Sequence, residues 1–353
     1  CPARDDDPVP DPYYEAQWYL EAIRAPEAWA AGYTGSGVQI LINDEGVDNT
    51  HPDLAKLDVA NSCDVYAPSG SDAHGTVCAS LAAGDSNSHC GAGAAPGAGL
   101  ASCVLFSSSG GPVASQAWSE DYLAYNHNVN DISSNSWGMD NCWRTAYSST
   151  ECPLACPSGT SYCPCDVCGS ADWSGGDLSQ TCEAAVVTYC ANYLENDVMP
   201  CLELDHYFVQ CGFGQLSTLA HDKLVEGTTE GRNGLGMVFV FAAGNEFDIG
   251  DDVNYEGYLN SRFTLSVGAL GRDLKHSSYS SSGAPVFISA PGGDSENYHG
   301  MLAALPLSHG ATDNCGDAGM GTSYAAPLVA GVVALVLEAN PNLNWRDVQG
   351  VLA

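Results

Sequence analysis

The feature that most constrains this chain is its series of short, unbroken apolar runs separated by helix-compatible segments. Residues 237–243 are apolar throughout and bounded by Gly236 and Gly244. A strand that alternates apolar and polar residues has one wet face. One that is apolar throughout is buried on both, as in a parallel sheet. Residues 38–42, 264–270 and 286–290 read as buried strands too, and 100–106 and 132–137 are further strand candidates. Between them, 75–83, 115–126 and 322–338 suit helices, and 18–31 has helical spacing interrupted by Pro26. Strands alternating with helices predict an α/β fold with a parallel sheet flanked by helices on both faces. Residues 1–12, rich in Pro and Asp, read as an extended arm.

One stretch breaks the alternation. Ten of the sixteen cysteines fall in residues 139–232, whose first half is rich in Pro, Ser and Gly. We read 1–353 as one catalytic-size domain and 139–232 as a Cys-rich, disulfide-rich insertion within it, with a helix-compatible stretch at 178–194. So many cysteines point to a secreted or otherwise extracytosolic protein, where disulfides persist. In that setting Cys163, Cys165 and Cys168 read as disulfide partners rather than as a zinc site. The chain starts at Cys1 and shows no signal peptide, so it reads as a mature or excised portion of a longer protein. Ten Lys and Arg stand against 43 Asp and Glu, a formal net charge of −33. That excludes binding of nucleic acid through clustered cations and argues against docking on anionic lipid. No apolar run approaches the ~20 residues of a membrane span.

Three segments carry chemistry. An apolar strand ends in Asp44, His74 opens one helix, and Ser323, in Gly321-Thr-Ser323-Tyr-Ala-Ala-Pro327, opens the most apolar one. Acid, imidazole and hydroxyl at such positions make a Ser-His-Asp constellation possible. Their chain order is that of subtilisin, one of the standard examples of convergent triads.

The chain resembles the subtilisin-like serine proteases, and within them the kexin/furin (proprotein convertase) branch. The matching segments are 17–20, 28–35, Asp44-Glu-Gly with His51-Pro-Asp-Leu54, 74–79, Ser134-Asn-Ser-Trp-Gly138, 234–245, Gly321-Thr-Ser323 and Asn344-Trp-Arg-Asp347. The resemblance implies a serine endopeptidase. Ser323 would be the nucleophile, His74 its general base, and Asp44 the group that orients the imidazole. Asn245 and the Ser323 amide would donate to the oxyanion. The backbone of Ser136, Trp137 and Gly138 would pair with an extended protein or peptide substrate. The family also matures by loss of an inhibitory N-terminal propeptide.

The same resemblance implies one structural Ca²⁺ site at Asp11, Asp53 and Asn87, with loop 84–91. A second family site keeps only Asp251, since Asn141 and Ser281 replace its other carboxylates, and is not expected. Cys90 and Cys315 correspond to a disulfide, and Cys78 to a buried free thiol; Cys1, Cys63 and Cys103 have no assignment. Glu256 stands where the branch has an acid that binds a basic P1 side chain, while Asn141 replaces another. Basic P1 preference and broad extracellular specificity are both open on this reading, as is an inactive peptide-binding homologue.

Overall fold

The computed structural model describes residues 11–63, 73–106, 120–139, 141–146, 207–295, 300–310 and 314–353. The expected arm at 1–12 lies almost wholly outside them, as do the helix-compatible 178–194, residues 115–119 of the helix-compatible 115–126, and Cys163, Cys165 and Cys168; within 120–126 the structure has a short 3-10 turn at Tyr122–Ala124.

The apolar runs form one sheet. Its strands are β1 (Gln39–Asp44), β2 (Gly99–Val104), β3 (Ile132–Asn135), β6 (Val238–Ala242), β7 (Thr264–Leu270) and β8 (Val286–Pro291). Their order is β2-β1-β3-β6-β7-β8, and every pairing is parallel. Two further strands, β4 (Cys142–Ala146) and β5 (Tyr207–Cys211), pair antiparallel outside this sheet. The N-terminal helices are α1 (Trp18–Ala22) and α2 (Ala25–Ala30). Pro26 sits in the first turn of α2, where its missing N–H costs nothing, so it starts a second helix rather than kinking one.

Both sheet faces are covered. Ile40, Ile42, Leu100, Val238, Val240 and Val267 pack against α3 (His74–Ala83) and the central α5 (Thr322–Ala339). On the opposite face Leu41, Ala101, Phe239 and Phe241 pack against Leu123, Ala124 and α4 (Thr218–Gly234). The strict in–out alternation of these side chains is why each strand must be apolar on both sides.

All but the last two residues of helix α4 fall in the stretch read as an insertion, and its Ala220 and Leu224 are wholly buried beside Phe239. The helix leaves helical geometry at Gly231, and Arg232 then reaches Asp131 (3.4 Å) and the Leu343 carbonyl (2.9 Å). Helix α5 covers the helix-compatible stretch at 322–338. Its 18 residues are long and apolar enough to cross a membrane, but two-thirds of it is buried in this core. A core helix and a membrane span share this composition, so length and apolarity alone do not separate the two. The last helix, α6 (Trp345–Leu352), opens with Asn344, which caps it while Asp347 accepts from the Asn344 amide.

Candidate active site

Parallel strands deliver their carboxyl ends to one edge of the sheet, and the strand order reverses direction around β1 and β3. Asp44 ends β1, Ser136 follows β3 and Asn245 follows β6, so residues some 200 positions apart share that edge. His74 arrives as the first residue of α3. A β-carbon on Gly75 would lie 2.3 Å from the Gly46 carbonyl and 3.1 Å from Asp44 Cβ. Glycine is therefore what lets α3 begin against the end of β1.

The resulting contact is short. His74 Nδ1 lies 2.8 and 3.0 Å from the two Asp44 oxygens, and Asp44 is 1% exposed. Burial favours the neutral imidazole, but the Asp44 charge and its hydrogen bond outweigh that and hold the His74 pKa well above the usual imidazole range. Ser323 sits in the first turn of α5. Its hydroxyl donates to the Ser136 carbonyl at 3.2 Å, and among the described contacts no hydrogen bond joins it to His74. A nucleophile–base hydrogen bond often tightens only in the substrate complex, so this contact describes the resting hydroxyl alone.

Pro327 shapes the same point from a distance. It lies inside α5 four residues after Ser323, and its missing N–H leaves the Ser323 carbonyl without its helical donor. Ser136 Oγ (2.8 Å) and the Cys78 thiol (3.4 Å) donate to that carbonyl instead. Cys78 is the free, buried cysteine of the described residues, and burial pushes its pKa up.

Asn245 is exposed at the end of β6. Its Oδ1 accepts from the amide and the hydroxyl of Thr322, both at 2.9 Å, which leaves the Nδ2 end to donate. A cavity of about 160 Å³ opens beside it, lined among others by Ser136, Gly138, Asn141, Glu246, Asp251 and Glu256. Trp137 also lines it and anchors its backbone through an indole N–H to the Asn43 carbonyl (3.0 Å). Glu256 is 3% exposed and accepts from Met139 N (2.9 Å), Asn141 Nδ2 (3.1 Å) and Tyr258 N (3.2 Å). Burial raises its pKa despite these donors. Burial, then the charge of Glu246, pushes Asp251 up to about 7. A buried cavity with this many carboxylates suits a cationic side chain.

A second cluster lies apart from the cavity. Asp53 is fully buried, and neither of its carboxylate oxygens has a hydrogen-bond partner among the described residues. Burial pushes its pKa up to about 7, and the nearby Asp11 adds to the shift. Asp11 is also buried and accepts from the Asn87 amide at 2.6 Å. Two buried acids, one of them orphaned, beside an Asn-bearing loop form an oxygen donor set that fits a hard cation such as Ca²⁺.

Three further participants were assigned no role from the sequence. His51 is buried; its Nδ1 accepts from the Asp53 amide (3.1 Å) and its Nε2 meets the Asn314 carbonyl (3.1 Å). Glu45 accepts from the His74 amide (3.3 Å), and Glu246 from the Asn245 amide (2.6 Å). Glu45 and His51 fall within matching segments and Glu246 follows one, but their spacing gave them no role. Disulfides join Cys90 to Cys315, Cys63 to Cys103 and Cys142 to Cys211.

A hydroxyl at a helix start, an imidazole backed by a buried acid, and an amide at a strand end are the parts of a serine hydrolase. Residues 35–353 match the profile of the subtilase family, and the chain belongs to that family. It is 30% identical to kexin of Saccharomyces cerevisiae over 364 residues, covering 98% of this chain and 35% of kexin. It is 29% identical to the dibasic-processing endoprotease of Schizosaccharomyces pombe over 358 residues, 97% of this chain and 40% of that protein. The chain thus spans little more than a third of the length of these relatives. The serine protease of Aeromonas sobria superposes with a TM-score of 0.67 at 22% identity, covering 99% of this chain and 58% of that one, a likeness of fold.

Proposed function

We propose that this protein is a serine endopeptidase of the subtilisin/kexin type, acting outside the cytosol on protein or peptide substrates with a basic P1 residue. What supports the reading is the 2.8 Å contact of His74 with Asp44, together with Ser323 in the lining of a cavity that also contains the buried Glu256.

In this reading His74 takes the Ser323 proton as the hydroxyl attacks the scissile carbonyl, then passes it to the leaving amine. Asp44 holds Nδ1–H toward itself, so that Nε2 is the basic nitrogen. Asn245 Nδ2 and the Ser323 amide donate to the oxyanion. Thr322 fixes the Asn245 side chain beforehand, so no reorganisation is needed during the reaction. The backbone of Ser136–Gly138 pairs with the substrate strand. Glu256 and Asp251 neutralise the P1 cation. Asp11, Asp53 and Asn87 would hold a Ca²⁺ ion, which would supply charge balance to the buried acids and order to their loop.

The test is hydrolysis of peptides varied at P1, with Ser323→Ala as control and a serine-directed fluorophosphonate as label. Cleavage after Arg or Lys, lost in the variant, is expected. Cleavage after many residue types would keep the nucleophile and overturn the P1 reading. No labelling and no cleavage would overturn both.

A further inference from the structure

Asn141 and Glu256 line the cavity, and the chain that follows β5 packs against both of them next to a disulfide. Strand β4 starts one residue after Asn141, and β5 ends one residue before Gly212. Cys142 and Cys211 are cross-strand partners, bonded through sulfur across 69 residues of sequence. Next to this link Gly212 N donates to the Asn141 carbonyl at 2.8 Å. Two residues on, Gly214 N donates to the Tyr255 carbonyl at 2.7 Å, and Gly214 bridges Glu256 as a parallel pair. Asn141 closes the ring by donating to Glu256 at 3.1 Å. The packing is tight at one point: a β-carbon on Gly214 would lie 2.4 Å from Asn141 Oδ1.

We propose that the Cys142–Cys211 disulfide, with Gly214 and Asn141, is a positioning unit that sets the Glu256 carboxylate in the cavity and so fixes selectivity at P1. The inference rests on the reading of Glu256 given above. Asn141 and Glu256 hold each other through one charge-assisted hydrogen bond. Displacing either moves the charge that a P1 cation meets, while the Asp44–His74 pair is untouched.

The experiment compares kcat/KM for peptides with Arg and with norleucine at P1. It also measures the rate at which a small fluorophosphonate labels Ser323. Two variants are used: Cys142→Ser with Cys211→Ser, and Gly214→Ala. In Gly214→Ala the new methyl meets the tip of a flexible side chain, so Asn141 yields while the backbone stays. Should the cysteine variant fail to fold, Gly214→Ala alone decides.

The expected result is an Arg/norleucine ratio lowered about tenfold, with the labelling rate within about twofold of wild type. The Gly214→Ala effect should also vanish when Asn141 is already Ala, since both changes break the same contact. A wild-type ratio in folded Gly214→Ala overturns the inference, as does labelling that falls in step with the ratio. A wild-type enzyme with no Arg preference overturns the reading of Glu256 and, with it, this proposal.

Discussion

Ser323 takes its place from residues that do no chemistry. Pro327 frees its carbonyl, Ser136 and Cys78 occupy it, and Thr322 fixes the neighbouring Asn245. Ser323→Ala is expected to lower kcat by about 10⁶-fold. Asn245→Ala should lower it by about 10²–10³-fold. Steady-state kinetics on one peptide check both. A pH profile separates the base from the cavity. His74 must be neutral to act, so kcat rises with pH through its elevated pKa. Asp251 is neutral below about 7 and anionic above it. KM for an Arg P1 peptide should therefore fall as pH rises from 6 to 8, while KM for a neutral P1 peptide stays flat. The places of Asp44, His74, Ser323 and Asn245 at the ends of elements were legible in the sequence, because each sits where an apolar run begins or ends. Glu246 and His51 were not. Their roles come from a backbone amide brought to the carboxylate or ring by a turn, and no periodicity records that.

At the scale of elements, the helices are fixed by what they press on. Helix α3 begins against the end of β1, where Gly75 has no room for a methyl group. Gly75→Ala is expected to shift His74 from Asp44 and cost activity at least tenfold with the fold retained, as measured by kcat/KM beside circular dichroism. Helix α4 belongs energetically with the sheet, since Leu224 is wholly buried against it. Leu224→Ala should destabilise the protein by about 2–5 kcal/mol in denaturant unfolding. A surface helix of an appended segment would lose far less. Most strands were legible because burial on both faces favours apolar residues, whereas β3 carries the buried polar Ser133, Ser134 and Asn135. Helix α4 was not, because its low apolar content and its nearness to the cysteines matched the preceding segment.

Over the whole molecule, charge and cross-links decide stability. Asp53 has a pKa raised to about 7 in the fold against an unfolded value near 3.8. Folding therefore favours its protonated form, and that stabilisation is lost as pH rises through about 7. With chelator present, the melting temperature should fall between pH 5 and pH 8. Added Ca²⁺ should remove the fall, and Asp53→Asn should abolish both effects; differential scanning calorimetry reads all three. The sequence by itself determined the parallel α/β sheet and the residues at its carboxyl edge, because burial on both faces writes a local pattern. Only the tertiary structure decided that Cys63 pairs with Cys103 and Cys142 with Cys211, that α4 packs on the sheet, and that Glu246, Asp251 and Glu256 line one cavity. Those are distances between residues far apart in the chain, and they exist only once the strands have set the loops side by side.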